Sequence, residues 1–161
     1  MTRLSTSIAD IKDHYTVVVI GSGYGGSIAA SRFARAGQKV CLLERGREIQ
    51  PGEYPRTLPE AAKELQTDLP EKHIGPRTGL YDFHVNKDIN VFVGCGLGGT
   101  SLVNANVALR AEKKIFEDAR WPKEILQDYD TSLADGYKRA EEMLKPTPYP
   151  NSYPSLPKLE A

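Results

Sequence analysis

The chain has 161 residues, 40% of them apolar and 26% charged, with 21 basic and 21 acidic side chains. That is the length of one ordinary domain with enough apolar residues for a core, and its balanced charge offers no footprint for nucleic acid or an anionic membrane surface. No stretch approaches the roughly 18 to 20 apolar residues of a membrane span.

In chain order, residues 1–15 mix Arg3, Asp10, Lys12 and Asp13 without an apolar run, so they do not read as a signal peptide, and a cytoplasmic location is expected. Tyr15 to Ile20 (YTVVVI) is a β-branched run ended by glycine, the pattern of a buried parallel strand. Ser27 to Ala36 reads as a helix stopped by Gly37, and Lys39 to Glu44 (KVCLLE) as a second strand. Together they spell a βαβ unit. Residues 46–88, punctuated by Pro51, Pro55, Pro59, Pro70 and Pro76, read as a long polar excursion whose one helical piece runs from Pro59 to about Thr67. Ile89 to Val93 is a further strand, followed by a second glycine-rich turn and a short apolar segment from Thr100 to Ala108. Glu112 to Asp118 reads as a solvated helix face, and Trp121 as a core anchor. Tyr129, Leu133, Tyr137, Ala140 and Leu144 recur at helical spacing. Residues 146–161, with five prolines, read as a linker or tail.

The chemistry concentrates in Gly21-Ser22-Gly23-Tyr24-Gly25-Gly26, a GxGxxG between a strand and a helix. Gly21 allows the tight turn, Gly23 lets the backbone approach a pyrophosphate, and Gly26 allows the helix to pack closely on the strand. The helix N-terminus then presents unpaired N–H groups and its positive dipole end to the phosphates. Glu44, about 20 residues on at the end of the second strand, is placed to accept hydrogen bonds from an adenosine ribose, and its carboxylate would repel a 2′-phosphate. NADP is thereby disfavoured, while NAD and FAD remain. Gly94, Gly96, Gly98 and Gly99 form a second place where backbone comes close to something flat or anionic, which suggests a larger cofactor. Cys41 and Cys95 lack metal or redox spacing and read as buried thiols, and His14, His73 and His84 as surface or hydrogen-bonded histidines without a catalytic arrangement.

GSGYGGSIAASRFARAGQKVCLLERG followed by GCGLGGTSLVNANVAL resembles the N-terminal FAD-binding part of the glucose-methanol-choline (GMC) oxidoreductases, in particular their cholesterol-oxidase-type branch. The resemblance runs from about Tyr15 to Leu144. It implies an α/β fold with a Rossmann-like dinucleotide-binding βαβ domain and a parallel sheet, incomplete relative to the family, over residues 1–145. It also implies FAD as cofactor, with Tyr24 and Gly25 against the pyrophosphate, Glu44 on the ribose, and Gly98, Gly99, Thr100, Asn104, Ala105 and Val107 at the flavin end. Thr100 and Ala105 stand where the family usually has glycine. The family's catalytic His and Asn lie in a C-terminal segment beyond the part resembled here. The resemblance therefore implies the cofactor-binding portion of a flavoprotein that oxidises an alcohol or sterol, inactive alone, with the other half on the missing segment or on a partner chain. The alternatives are a non-catalytic dinucleotide-binding module or subunit, and a fragment of an NAD-dependent dehydrogenase.

Overall fold

A computed structural model describes residues 2–148. The chain forms two compact units, the first ending at Ala105 and the second beginning at Asn106. The mixed α/β architecture with parallel strands is that of a Rossmann-like dinucleotide-binding fragment.

The first unit opens with the βαβ element. Strand β1 (Val17–Ile20) pairs in parallel with β2 (Val40–Leu43), Val17 opposite Val40 and Ile20 opposite Leu43. The connecting helix α1 (Tyr24–Arg35) starts three residues earlier than the sequence suggests, because Ser27 N–H already donates to Gly23 O at 2.9 Å and draws Gly25 and Gly26 into the first turn. Gly37, at φ +77°, ends it in the left-handed region as expected. Helix α1 covers the face of the pair that carries Val19. The opposite face is bare, with Val18 55% and Ile20 85% exposed. A doubly wound sheet that lacks its later strands and helices is expected to uncover Val17, Val19, Val40 and Leu42, but the side chains left in solvent are those of the alternate register, since residues two apart share a face and α1 claims one face only.

Residues 46–88 are not the loop their prolines suggest. Thr57 and Glu60 make a reciprocal capping box that starts the short helix α2 (Leu58–Lys63), with Pro59 in its first turn. The helix stops at Lys63, and the residues that follow are strand β3 (Leu65–Leu69), which turns through Pro70-Glu71 into β4 (Lys72–Ile74). Strand β5 (Tyr81–His84) pairs in parallel with β3, and β6 (Val91–Gly94) antiparallel with β5, giving the order β4-β3-β5-β6. The strand foreseen at Ile89 to Val93 thus starts two residues later and belongs to this second, mixed sheet rather than to the β1–β2 pair. Cross-strand pairing has overridden the polar composition of LQTDL and YDFH. Their polar side chains point inward: Gln66 and Asp82 are fully buried, beside Leu80 and Cys95.

In the second unit, Lys113–Glu117 form a 3-10 turn instead of a regular helix, followed by α3 (Lys123–Gln127), a π-helical turn (Tyr129–Leu133) and α4 (Ala134–Leu144). The last two carry the spaced apolar residues read as a helix. Trp121 is 43% exposed and stacks edge-on against Phe116 at 5.3 Å, so it rims an aromatic cluster with Tyr129 instead of anchoring a core. Arg110 joins Glu141 by two hydrogen bonds of 2.6 and 2.5 Å. Of the proline-rich stretch, residues 149–161 lie outside the described residues. No helix among the described residues is long and apolar enough to cross a membrane.

Candidate dinucleotide-binding site

Gly21, at φ +88°, takes the chain from β1 into the first glycine turn in a conformation that L side chains rarely adopt. Five residues on, Gly26 packs so tightly that a Cβ there would lie 1.9 Å from Gly21 O. Gly23 is the opposite case. It has ordinary extended geometry (φ −62°, ψ −175°), caps α1 without any side-chain hydrogen bond, and a Cβ on it would project into open space. The first-turn N–H groups of α1 therefore face a cradle that a side chain at position 23 would fill, which is the geometry an anionic phosphate requires.

Ser22 is the hub of the site. It is 1% exposed, its N–H and hydroxyl both donate to Glu44 Oε2 (2.9 and 2.5 Å), and its Oγ accepts the N–H of Gly98 at 2.8 Å. The other carboxylate oxygen of Glu44 accepts Gly46 N–H at 2.9 Å. Burial works against the charge on Glu44, but the hydrogen bonds from the Ser22 hydroxyl and from the backbone of Gly46, Ser22 and Arg45 outweigh it and hold the carboxyl below its ordinary range. Glu44 is thus an acceptor at neutral pH. It spends part of its capacity inside the protein, and keeps lone pairs for a hydroxyl donor.

The second glycine loop packs directly on the first. Gly98 and Gly99 have φ +114° and +60°, and a Cβ on Gly99 would come within 2.7 Å of Gly23 Cα. Gly46 is pressed equally hard on the backbone of Gly96, at 2.4 Å. Thr100 takes Gly94 N–H on its Oγ1 at 3.4 Å, and Asn104 Nδ2 donates to Tyr24 Oη at 2.5 Å, tying the far end of the second loop to the start of α1. The structure therefore joins Gly21, Ser22, Gly23, Tyr24, Gly26, Glu44, Gly98, Gly99, Thr100 and Asn104 in one surface. Gly25 lies on the exposed side of the same helix turn, Ala105 is the exposed last residue of the first unit, and Val107 belongs to the second unit.

A cavity of about 1030 Å³ opens between β2 and the second loop, lined by Glu44, Arg47, Ile49, Leu97 and Gly98. Sequence reasoning missed its outer wall, the segment Arg3 to Thr6. Glu48 holds this segment, accepting Leu4 N–H, Ser5 N–H and the Ser5 hydroxyl at 2.8 to 2.9 Å, while Arg3 donates to Glu48 O at 2.7 Å. The Ser5 N–H bond, with its neighbours, brings the Glu48 carboxyl down to about 2. A depressed carboxyl pKa favours the bound segment above the ordinary value of 4.5, and the preference is lost as pH falls toward 2. The protection of the Leu4 and Ser5 amides, relative to a free amide at the same pH, should fall over that interval, and Glu48→Gln should show the low protection already at pH 7. Unchanged protection in the variant would contradict this anchoring.

Cys95 is buried and its thiol is pushed up by burial, so it is a structural side chain. His73 and His84 meet Asp68 and Asp82 in the second sheet, a grouping not read from sequence. The available signal was the period-two spacing of Gln66 with Asp68 and of Asp82 with His84, which places each pair on one face of its strand.

Comparison with known proteins agrees with the geometry. Residues 16–79 match the family model described as pyridine nucleotide-disulphide oxidoreductase. The chain is 32% identical over 137 residues to a cholesterol oxidase of Mycobacterium tuberculosis, covering 83% of the chain and 22% of the relative. It is 26% identical over 131 residues to a cholesterol oxidase of Acinetobacter baumannii, covering 81% of the chain and 22% of the relative. A long-chain-alcohol oxidase of Arabidopsis thaliana is 31% identical over 140 residues, covering 84% of the chain and 17% of that protein. The fold and the paired glycine loops thus define a Rossmann-like dinucleotide-binding fragment whose matched relatives are oxidoreductases, and they point to a flavin or dinucleotide cofactor. The chain is similar to the N-terminal portion of these cholesterol and alcohol oxidases, and spans about a fifth of the length of the relatives it matches.

Proposed function

We propose that this chain is the FAD-binding part of a flavoprotein that oxidises an alcohol, with a sterol or long-chain alcohol as the substrate class its relatives' names suggest. The observation that carries the reading is the contact of the two glycine loops: Gly99 against Gly23, and Ser22 bridging Glu44 and Gly98. A nicotinamide domain needs one phosphate-cradling loop, and the reading of an NAD-dependent dehydrogenase leaves the second without a role. In this reading the first turn of α1 holds the pyrophosphate, Glu44 the adenosine ribose, and the loop from Gly98 to Asn104 the flavin side. The bound flavin supplies hydride acceptance; the protein supplies position and electrostatics.

The chain alone is expected to be inactive. The cavity-lining side chains include no histidine, cysteine or tyrosine, and the two carboxylates among them, Glu44 and Glu48, are held in the charged form, so neither is poised to exchange a proton near neutral pH. The groups that deprotonate the alcohol are assigned to the remainder of the enzyme, on the same polypeptide or on a partner chain. The bare Val18 and Ile20 face of β1 fits further sheet or helix from that remainder.

Titration with FAD, followed by flavin fluorescence and repeated with NADH, tests the reading. Saturable FAD binding is expected, with NADH much weaker, and Glu44→Ala should lower FAD affinity by roughly tenfold, the worth of a hydrogen bond to a charged acceptor. Equal affinity for NADH would favour the dehydrogenase reading, and a folded chain that binds neither would defeat both.

A further inference from the structure

Away from the glycine loops, the second sheet carries a polar cluster that neither the fold nor the proposed cofactor site uses. Asp68 on β3 and His84 on β5 are direct cross-strand partners, and Asp82 stands two residues before His84 on the same face. One ligand-capable atom from each of the three lies within 4.8 Å of the other two. Asp82 is 1% exposed, and its Oδ1 accepts no hydrogen bond while pointing at His84 Nε2, 3.2 Å away. A buried carboxylate oxygen left without a donor is costly unless something cationic completes it.

The surroundings hold the carboxylates in place without using up the atoms that converge. Arg45 takes Asp82 Oδ2 at 2.6 Å, and His73 Nδ1 takes Asp68 Oδ1 at 2.6 Å, its own Nε2 being 3.0 Å from Gly75 O. Asp82 Oδ1 and Asp68 Oδ2 remain, with His84 between them, its Nδ1 3.6 Å from Asp68 Oδ2. Outer partners that orient inner ligands in this way are the usual surroundings of a bound metal. Ligand atoms on one tetrahedral cation stand about 3.4 Å apart, given bond lengths of about 2.1 Å. The Asp82 to His84 distance is already near that value, and a rotation of the half-exposed His84 and Asp68 side chains closes the rest.

We propose that Asp68, Asp82 and His84 bind one divalent cation of the Zn²⁺ class, in a structural site that pins β3 to β5. One imidazole with two carboxylates is a mixed nitrogen and oxygen donor set, which suits Zn²⁺ or Co²⁺ better than the all-oxygen preference of Ca²⁺ and Mg²⁺. Solvent or a neighbouring carbonyl completes the coordination. The cation would tie together a sheet whose buried side chains are largely polar, and which has little apolar core of its own.

The full chain, stripped with a chelator and dialysed, is to be titrated with Zn²⁺ by calorimetry and with Co²⁺ by visible absorption. One equivalent of Zn²⁺ is expected, with a raised unfolding temperature, and Co²⁺ should give the visible bands of a low-coordinate site. His84→Ala and Asp68→Asn should each weaken Zn²⁺ at least tenfold, with His14→Ala unchanged. Both residues are over a third exposed, so far-UV circular dichroism should show these variants folded. Absence of saturable binding, or stoichiometric binding that survives both substitutions, overturns the site.

Discussion

Gly23→Ala is expected to leave the chain folded and to lower FAD affinity by tenfold or more, whereas Gly26→Ala, three residues away, is expected to disrupt the βαβ unit itself. The contrast comes from what a single methyl group meets. At position 26 it would sit 1.9 Å from Gly21 O and 3.0 Å from Gly21 C, both backbone atoms at the turn that sets the whole motif. Neither can retreat without moving β1 or α1, so the cost exceeds the roughly 1–3 kcal/mol of ordinary overpacking. At position 23 the same methyl meets nothing within 4 Å, and the backbone already has a conformation that alanine adopts. The loss of chain freedom in the unfolded state and the slightly poorer capping nearly cancel, each being worth under about 1 kcal/mol. Unfolding curves and FAD titrations on both variants provide the check. Unaltered FAD affinity in Gly23→Ala would mean that the pyrophosphate does not pass over this residue.

Arg45→Ala should be the most damaging change outside the glycine motifs. Asp82 is 1% exposed and relies on the Arg45 guanidinium, 2.6 Å away, for one of its two oxygens. Removing that partner leaves a buried carboxylate with neither oxygen hydrogen-bonded and also releases Gln66 Oε1, which Arg45 approaches at 3.4 Å. Because the arginine is half exposed, water reaches part of the gap, and the expected loss is about 3 kcal/mol, the lower end for a broken buried pair. For a chain of this size that is roughly 10 °C in unfolding temperature. Asp82→Leu in the Arg45→Ala background should recover most of it, since an apolar side chain replaces the stranded charge. The measurement belongs in chelator, so that no cation substitutes for the arginine. A double variant as unstable as Arg45→Ala would mean that the carboxylate was not the source of the loss.

What the sequence disclosed about the site follows the range of the interactions involved. Gly21, Gly23, Gly26 and the run into Glu44 obey local rules of turn, helix start and strand end, and they stand in the structure where those rules put them. Ser22 could not be read in the same way. It is an ordinary filler position in GxGxxG until Gly98, 76 residues later, delivers an N–H to its hydroxyl. The strands at Leu65–Leu69 and Tyr81–His84 were concealed because prolines and inward-facing Gln66 and Asp82 imitate a loop. Only the pairing of β3 with β5, across an intervening hairpin arm, gives those polar side chains partners. The side of β1 left bare was misjudged for a related reason: strand residues were identified, but which alternate set α1 would cover depends on the helix's docking, fixed by the Gly26 contact.

The Ser22 hydroxyl has a consequence for how the two halves of the groove respond to each other. Its single proton has two acceptors within reach, Glu44 Oε2 at 2.5 Å and Gly96 O at 3.3 Å, while its lone pair fixes Gly98. Anything that draws charge out of Glu44 at the ribose end weakens the hold of the carboxylate on that proton, and lets the hydroxyl turn toward the second loop. In the proposed FAD site, the adenosine and flavin ends would thereby be linked through one rotatable C–O bond, and occupancy of one end would be felt as a change in the stiffness of the other.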